Sequence, residues 1–215
     1  MNNYNPAEYG DSCAAFYDRL YPNIEEGLLD TLVGFAHGGP ILELGLATGR
    51  VSRRLNEANQ DVYGVEASKP MIERCRCLPG GSGIKIVRGD FAALPFTDNF
   101  NLIFALVNTL SLLPTRELLA SCLAEIARIL APKGTFVYET YAAANSESAV
   151  THDYPILTNV GMKNYRVTSL DTSQDIFNKL ATGSGLQLLD VWRDWRRNPV
   201  TTGSARRIMI YEPAT

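Results

Sequence analysis

The chain is poor in the residues that most often carry acid–base or metal chemistry. It has two histidines, His37 and His152, in 215 residues. His37 falls beside Gly38 at the end of an N-terminal helical pattern, so His152 is the candidate general base. There are four cysteines, Cys13, Cys75, Cys77 and Cys122. Cys75-Arg76-Cys77 is too close for a zinc hairpin, and the set reads as reduced thiols of a cytoplasmic protein. No carboxylate set stands out for a divalent cation, so no metal is expected. Basic residues are not in surplus. The net charge of −3 argues against nucleic acid as the main partner, because phosphate binding wants a basic face. No apolar run approaches the ~20 residues that cross a bilayer. Met1-Asn2-Asn3-Tyr4-Asn5-Pro6 lacks the basic and apolar regions of a signal peptide.

What is present is the composition of a globular protein, with 46% hydrophobic and 20% charged residues. Residues 1–215 suffice for one domain with a substantial core, and no repeat or linker divides them. N-terminal helices are expected over 1–38: a short aromatic one at 12–20, then one at 23–37 with Ile24, Leu28, Leu32 and Phe35 on one face. Pro40 to Leu44 reads as a first strand, Val62 to Glu66 as a second, Ile84 to Arg88 as a third and Phe100 to Leu106 as a fourth. Helical spacing marks the segments after the first and second strands, with Ser68 as a cap, Pro70 in the first turn, and Met71, Cys75 and Leu78 facing the sheet. A further helix is expected at 115–130, followed by a fifth strand from Thr135 to Glu139. Residues 142–172 lose clear periodicity and read as a short lid-like insertion. Ser173 opens a last helix, and two strands follow at about 186–195 and 205–212. The fold class is therefore α/β, a Rossmann-like doubly wound sheet, mostly parallel.

In such sheets ligands bind outside the carboxyl ends of the strands. Glu43, Gly45, Gly49, Glu66, Asp90 and Asn108 all fall at that edge. A dinucleotide wants three glycines in register so that a helix N-terminus can take the pyrophosphate. Gly45-Leu46-Ala47-Thr48-Gly49 has alanine in the middle and no third glycine, and acids beside the turn sit badly near phosphates. S-adenosylmethionine has no phosphate. An acid near the first turn suits its ammonium, an acid closing the second strand suits its ribose diol, and Asp90 beside Phe91 suits its adenine.

Glu43-Leu44-Gly45-Leu46-Ala47-Thr48-Gly49-Arg50 resembles the first motif of class I S-adenosylmethionine-dependent methyltransferases, with Ala47 replacing the middle glycine. Gly64-Val65-Glu66-Ala67-Ser68, with Pro70 and Met71, resembles the second motif. Gly89-Asp90-Phe91 resembles the adenine-side motif, and Arg128-Ile129-Leu130-Ala131-Pro132-Lys133-Gly134 the segment before the fifth strand. The two final strands resemble the hairpin that ends this family's seven-stranded sheet, with its antiparallel last strand. The resemblance covers residues 13–141 and 173–215. It implies methyl transfer to an O, N or C nucleophile of a small molecule, such as a secondary metabolite, with S-adenosylhomocysteine as product. It implies cofactor contacts from Tyr17, Glu43, Gly45, Ala47, Gly49, Arg50, Glu66, Ala67, Met71, Asp90, Phe91 and Leu106, with Val107 beside Leu106 where the fourth strand ends.

Asn108 and Tyr141 are candidates for the acceptor side, and His152 lies in the lid, where relatives place substrate residues. Val107-Asn108-Thr109-Leu110 stands where adenine and glutamine methyltransferases carry Asp/Asn-Pro-Pro-Tyr, so those substrates are disfavoured. Arg193, Arg196, Arg197, Arg206 and Arg207 read as a solvated hairpin surface. The short lid leaves the acceptor pocket open or completed by a second subunit, which makes a homodimer one expectation. A rival reading keeps the cofactor fold but catalyses cyclisation or isomerisation without methyl transfer.

Overall fold

The computed structural model describes residues 4–97, 99–142, 146, 148–158 and 161–214. The first three residues of the N-terminal segment, and residues 143–145, 147, 159 and 160 of the expected insertion, lie outside them. Helices α1 (Glu8–Cys13), α2 (Tyr17–Leu20) and α3 (Leu28–Ala36) precede strand β1 (Ile41–Leu44). Then follow α4 (Ser52–Glu57), β2 (Val62–Glu66), α5 (Lys69–Cys77), β3 (Lys85–Arg88) and β4 (Phe100–Ala105). A 3-10 turn at Thr109–Leu112 leads to α6 (Arg116–Ile129) and β5 (Leu130–Tyr141). The chain continues through β6 (Val150–Thr158), β7 (Gly161–Ser169), α7 (Gln174–Gly183), β8 (Leu186–Trp192) and β9 (Arg206–Pro213).

Seven strands form one sheet in the order β3-β2-β1-β4-β5-β9-β8. The pairs β1–β2, β1–β4, β2–β3 and β4–β5 are parallel, while β9 runs antiparallel to both β5 and β8. Strand order reverses between β1 and β4, which opens the crevice where such sheets bind ligands. The central strands read as unbroken apolar runs because both faces are covered. On β4, Leu102 and Phe104 enter the core shared with Leu32 and Leu55, while Ile103 and Ala105 enter the core of Leu123, Ile126 and Phe177. Helices therefore flank both faces, as the period of two requires. Among the described residues no helix is long and apolar enough to cross a membrane.

Several elements differ from expectation. The 12–20 segment is two short helices, α1 and α2, instead of one. Helix α3 starts at Leu28 because Gly27 takes a left-handed backbone, φ +84°, and ends at His37, also left-handed at φ +48°. Leu78 is already outside α5 and only half-buried. The fifth strand starts early, at Leu130. The largest addition is at 142–172. Its described part holds an antiparallel hairpin, with His152 opposite Val167 and Tyr154 opposite Tyr165. Most of β6 is exposed on both faces, so no alternation between apolar and polar residues marks it.

Candidate functional site

The turn after β1 alternates left-handed residues: Gly45 at φ +66°, Ala47 at +51° and Gly49 at +71°. Glycine adopts this backbone freely and alanine does so under strain. The turn is stitched to β2 by one side chain. The Ala47 amide donates to Glu66 Oε2 and the Ser68 amide to Oε1, each at 2.8 Å. Burial raises the Glu66 carboxyl above its ordinary range against the pull of these amides. Glu43 lies beneath the turn, accepting the Ser52 hydroxyl at 2.5 Å. Burial pushes it up to about 7, with Ser52 and Arg50 opposing.

A cavity of about 440 Å³ opens at this strand edge. Gly45, Ala47, Glu66, Ala67, Met71 and Phe91 line it. Tyr17, Asn108, Tyr141 and His152 line it as well. The remaining expected contacts lie elsewhere. Gly49 packs under α5, where a Cβ would stand 2.6 Å from Cys75 Sγ. Arg50 donates to the Asn23 carbonyl at 2.6 Å and does not line the cavity. Asp90 is also outside the lining, engaged by the Tyr4 hydroxyl at 3.2 Å and the Ala92 amide at 2.8 Å. Leu106 is buried in the core on the α3 side, whereas Val107, expected beside it, lines the cavity. His152 is exposed on β6, its ring 6.0 Å from that of Tyr154.

Val107 and Asn108 form a second strained turn, with φ +49° and +63°. A β-branched residue rarely holds a left-handed backbone, so the surroundings must impose it. Val107 N–H donates to the Glu139 carboxylate at 3.2 Å, and Asn108 N–H to the Glu139 carbonyl at 2.9 Å. The Asn108 side chain accepts the Thr140 hydroxyl at 2.6 Å. Glu139 also pairs with Arg206 at 3.2 Å, and Arg206 reaches on to Glu25.

Sequence reasoning did not single out Tyr9, Tyr21 or Asp171 as lining residues. Tyr9 and Tyr21 share a hydroxyl contact of 3.3 Å and both line the cavity; the tyrosine-rich N-terminus was their only signal. The expected arginine surface is mostly paired: Arg193 with Asp194, Arg196 with Glu26, and Arg206 with Glu25 and Glu139.

Residues 41–134 match a family model described as a methyltransferase domain. Over these residues, less than half of its length, the chain is similar to that family. An uncharacterized methyltransferase of Anoxybacillus flavithermus is 36% identical to it over 94 residues, 42% of this chain and 43% of that one. The chain thus spans less than half the length of that curated relative. The likeness in fold extends further than the sequence match. The CcbJ methyltransferase from Streptomyces caelestis superimposes with a TM-score of 0.86 over 99% of this chain and 100% of that one, at 22% identity. The glycopeptide N-methyltransferase MtfA, solved with S-adenosyl-L-methionine, superimposes with a TM-score of 0.65 over 87% of each chain, at 15% identity.

Proposed function

We propose that residues 1–215 act as one methyltransferase unit that moves a methyl group from S-adenosylmethionine to an O, N or C nucleophile of a small molecule. The observation that carries this reading is the Ala47–Glu66 hydrogen bond. The amide that a dinucleotide fold would offer to a phosphate is taken by a carboxylate, whose charge would also repel a pyrophosphate. Each Glu66 oxygen accepts one amide and keeps further acceptor capacity, which suits a ribose diol in the cavity. Met71 and Phe91 give apolar walls for an adenine, and the Gly45–Ala47 backbone admits a close approach. Bound S-adenosylmethionine supplies a methyl group on a sulfonium and leaves as S-adenosylhomocysteine.

The protein's own part is to position the acceptor and exclude water, since methyl transfer from a sulfonium removes charge. Tyr17 covers the cavity from the N-terminal helices, and the β6–β7 hairpin serves as its lid. Asn108 and Tyr141 contact the acceptor. His152 receives its proton from the hairpin side, when the nucleophile has one to lose. Pairing of the C-terminal arginines supports a small acceptor over a nucleic acid.

Calorimetric titration with S-adenosylmethionine and, separately, NADH tests the reading. Micromolar binding of the first and none of the second is expected; the reverse would sink it. Acceptor turnover without S-adenosylhomocysteine would instead move the cyclase or isomerase reading ahead.

A further inference from the structure

A second cavity, of about 290 Å³, adjoins the first. The two share Asn108, Ser111, Tyr141 and Asp171, so these residues form a common wall. The chamber exists because side chains alternate along two paired strands. Tyr138 and Thr140 of β5, with Arg207 and Met209 of β9, face it, while Glu139 and Arg206 point to the opposite face of the sheet. Adjacent arginines therefore have different surroundings. Arg206 is neutralised by Glu25 and Glu139. Arg207 enters none of the ion pairs among the described residues, and its Nε is buried without a hydrogen-bond partner among them.

A guanidinium left unpaired in a cavity wall is set up to receive a planar anion in its fork. The charge of the same wall decides which anion. Asp171 and Asp175 also line the chamber, so one cation faces two carboxylates. A phosphate dianion would be repelled there, and a plain monocarboxylate would leave Asp171 uncompensated. Asp171 carries no side-chain hydrogen bond or ion pair among the described residues. Its charge still acts on the Tyr138 hydroxyl, which burial chiefly holds above its usual range.

We infer that this chamber takes a small zwitterionic aminocarboxylate, with its carboxylate on Arg207 and its ammonium facing Asp171 at the wall shared with the larger cavity. Taking this occupant as the methyl acceptor is the one part that rests on the methyl-transfer reading.

The test uses two matched triads in ligand-observed NMR titrations with S-adenosylhomocysteine present: 4-aminobutyrate, butyrate and 4-aminobutyramide, then L-phenylalanine, 3-phenylpropionate and phenylalaninamide. At least one aminocarboxylate should bind tenfold tighter than both its amide and its deaminated acid. Arg207→Gln should weaken that aminocarboxylate at least tenfold, with Arg207→Lys intermediate, while S-adenosylhomocysteine affinity stays within twofold and reports an intact fold. Asp171→Asn should abolish the preference for the aminocarboxylate over the deaminated acid. No discrimination in either triad, or equal binding by wild type and Arg207→Gln, would overturn the inference. Failure of the wild type to bind S-adenosylhomocysteine would instead remove the methyl-transfer reading, and the triads repeated without it would still judge the chamber.

Discussion

The Val107 amide donates to the Glu139 carboxylate at 3.2 Å from a left-handed backbone, φ +49°. That bond and the Arg206 pair at 3.2 Å hold Glu139, whose side chain is 5% exposed, between a strained turn and a cation. Removing the carboxylate strips the turn of its side-chain tether, leaving the Asn108 bond to the Glu139 carbonyl, and strips Arg206 of its more buried partner. Glu139→Ala should destabilise the protein by about 2–4 kcal/mol, in the range for breaking a buried pair after allowance for the remaining Glu25 contact. Glu139→Gln should cost less, because an amide oxygen still accepts from Val107. Urea denaturation midpoints decide it. A loss under about 0.5 kcal/mol for Glu139→Ala, the level of an ordinary surface change, would mean the turn holds itself.

Ala47 shows the opposite balance. Its φ of +51° is one that glycine adopts freely, and its amide is fixed on Glu66 at 2.8 Å. Ala47→Gly relieves left-handed strain of about 1 kcal/mol and loses a similar amount to unfolded-chain entropy. Stability should change by less than about 1 kcal/mol and cofactor affinity should be retained. A tenfold loss of S-adenosylmethionine affinity in calorimetry would show that the methyl group itself lines the binding surface.

Glu43 makes stability depend on pH in a definite direction. Burial raises its carboxyl from an ordinary 4.5 to about 7 in the folded protein. The folded state therefore holds this proton more tightly than the unfolded chain. Its contribution is fully present below about 4.5 and is lost as pH rises through about 7. Glu43→Gln should flatten that part of the profile. The wild type should lose about 2–3 kcal/mol relative to the variant between pH 4.5 and 7.5, as the shift implies. Parallel stability curves for the two proteins would show that Glu43 keeps its proton equally in both states.

Much of this arrangement was legible in the sequence, and the limits have physical causes. The parallel strands announced themselves as apolar runs ending in Glu43 and Glu66, because burial on both faces leaves little choice of residue. Ser68 was readable as a cap because its hydroxyl accepts the Met71 amide. The β6–β7 hairpin was not readable, since strands exposed on both faces need no alternation. Of Leu106 and Val107, both expected at the cofactor, only Val107 lines the cavity, and its left-handed backbone had no signal in the sequence. Arg207 was beyond reach. Whether adjacent arginines are paired or free depends on Glu25 and Glu139, far away in the chain.

His152 is the one histidine lining the cavity, and it sits exposed on the hairpin without a carboxylate hydrogen bond among the described residues to orient it. If it accepts a proton from the acceptor, His152→Ala should lower the methylation rate 10²-fold or more and change the pH profile, in the range of general-base catalysis. His152→Gln keeps a polar side chain at the wall and should not restore the rate. Activity within twofold of wild type across pH 6–9 in His152→Ala would end the proposal.

Gly45 ties the two strained turns together. A Cβ at this position would stand 2.5 Å from Thr109 Cγ2, so the obstacle to a side chain is the turn after β4. Thr109 cannot move away cheaply, because its hydroxyl donates to the Leu106 carbonyl at 2.6 Å. Gly45→Ala should therefore displace both turns at once, cost about 1–3 kcal/mol through clash and left-handed strain, and weaken S-adenosylmethionine binding. The clash has a specific remedy. Thr109→Ser removes Cγ2 and keeps the hydroxyl, so the double variant should regain most of the lost affinity while the strain of alanine at φ +66° remains. Calorimetry on the four proteins of this cycle gives the coupling directly. If the losses simply add, Gly45 and Thr109 are not coupled, and the glycine is needed for its backbone alone.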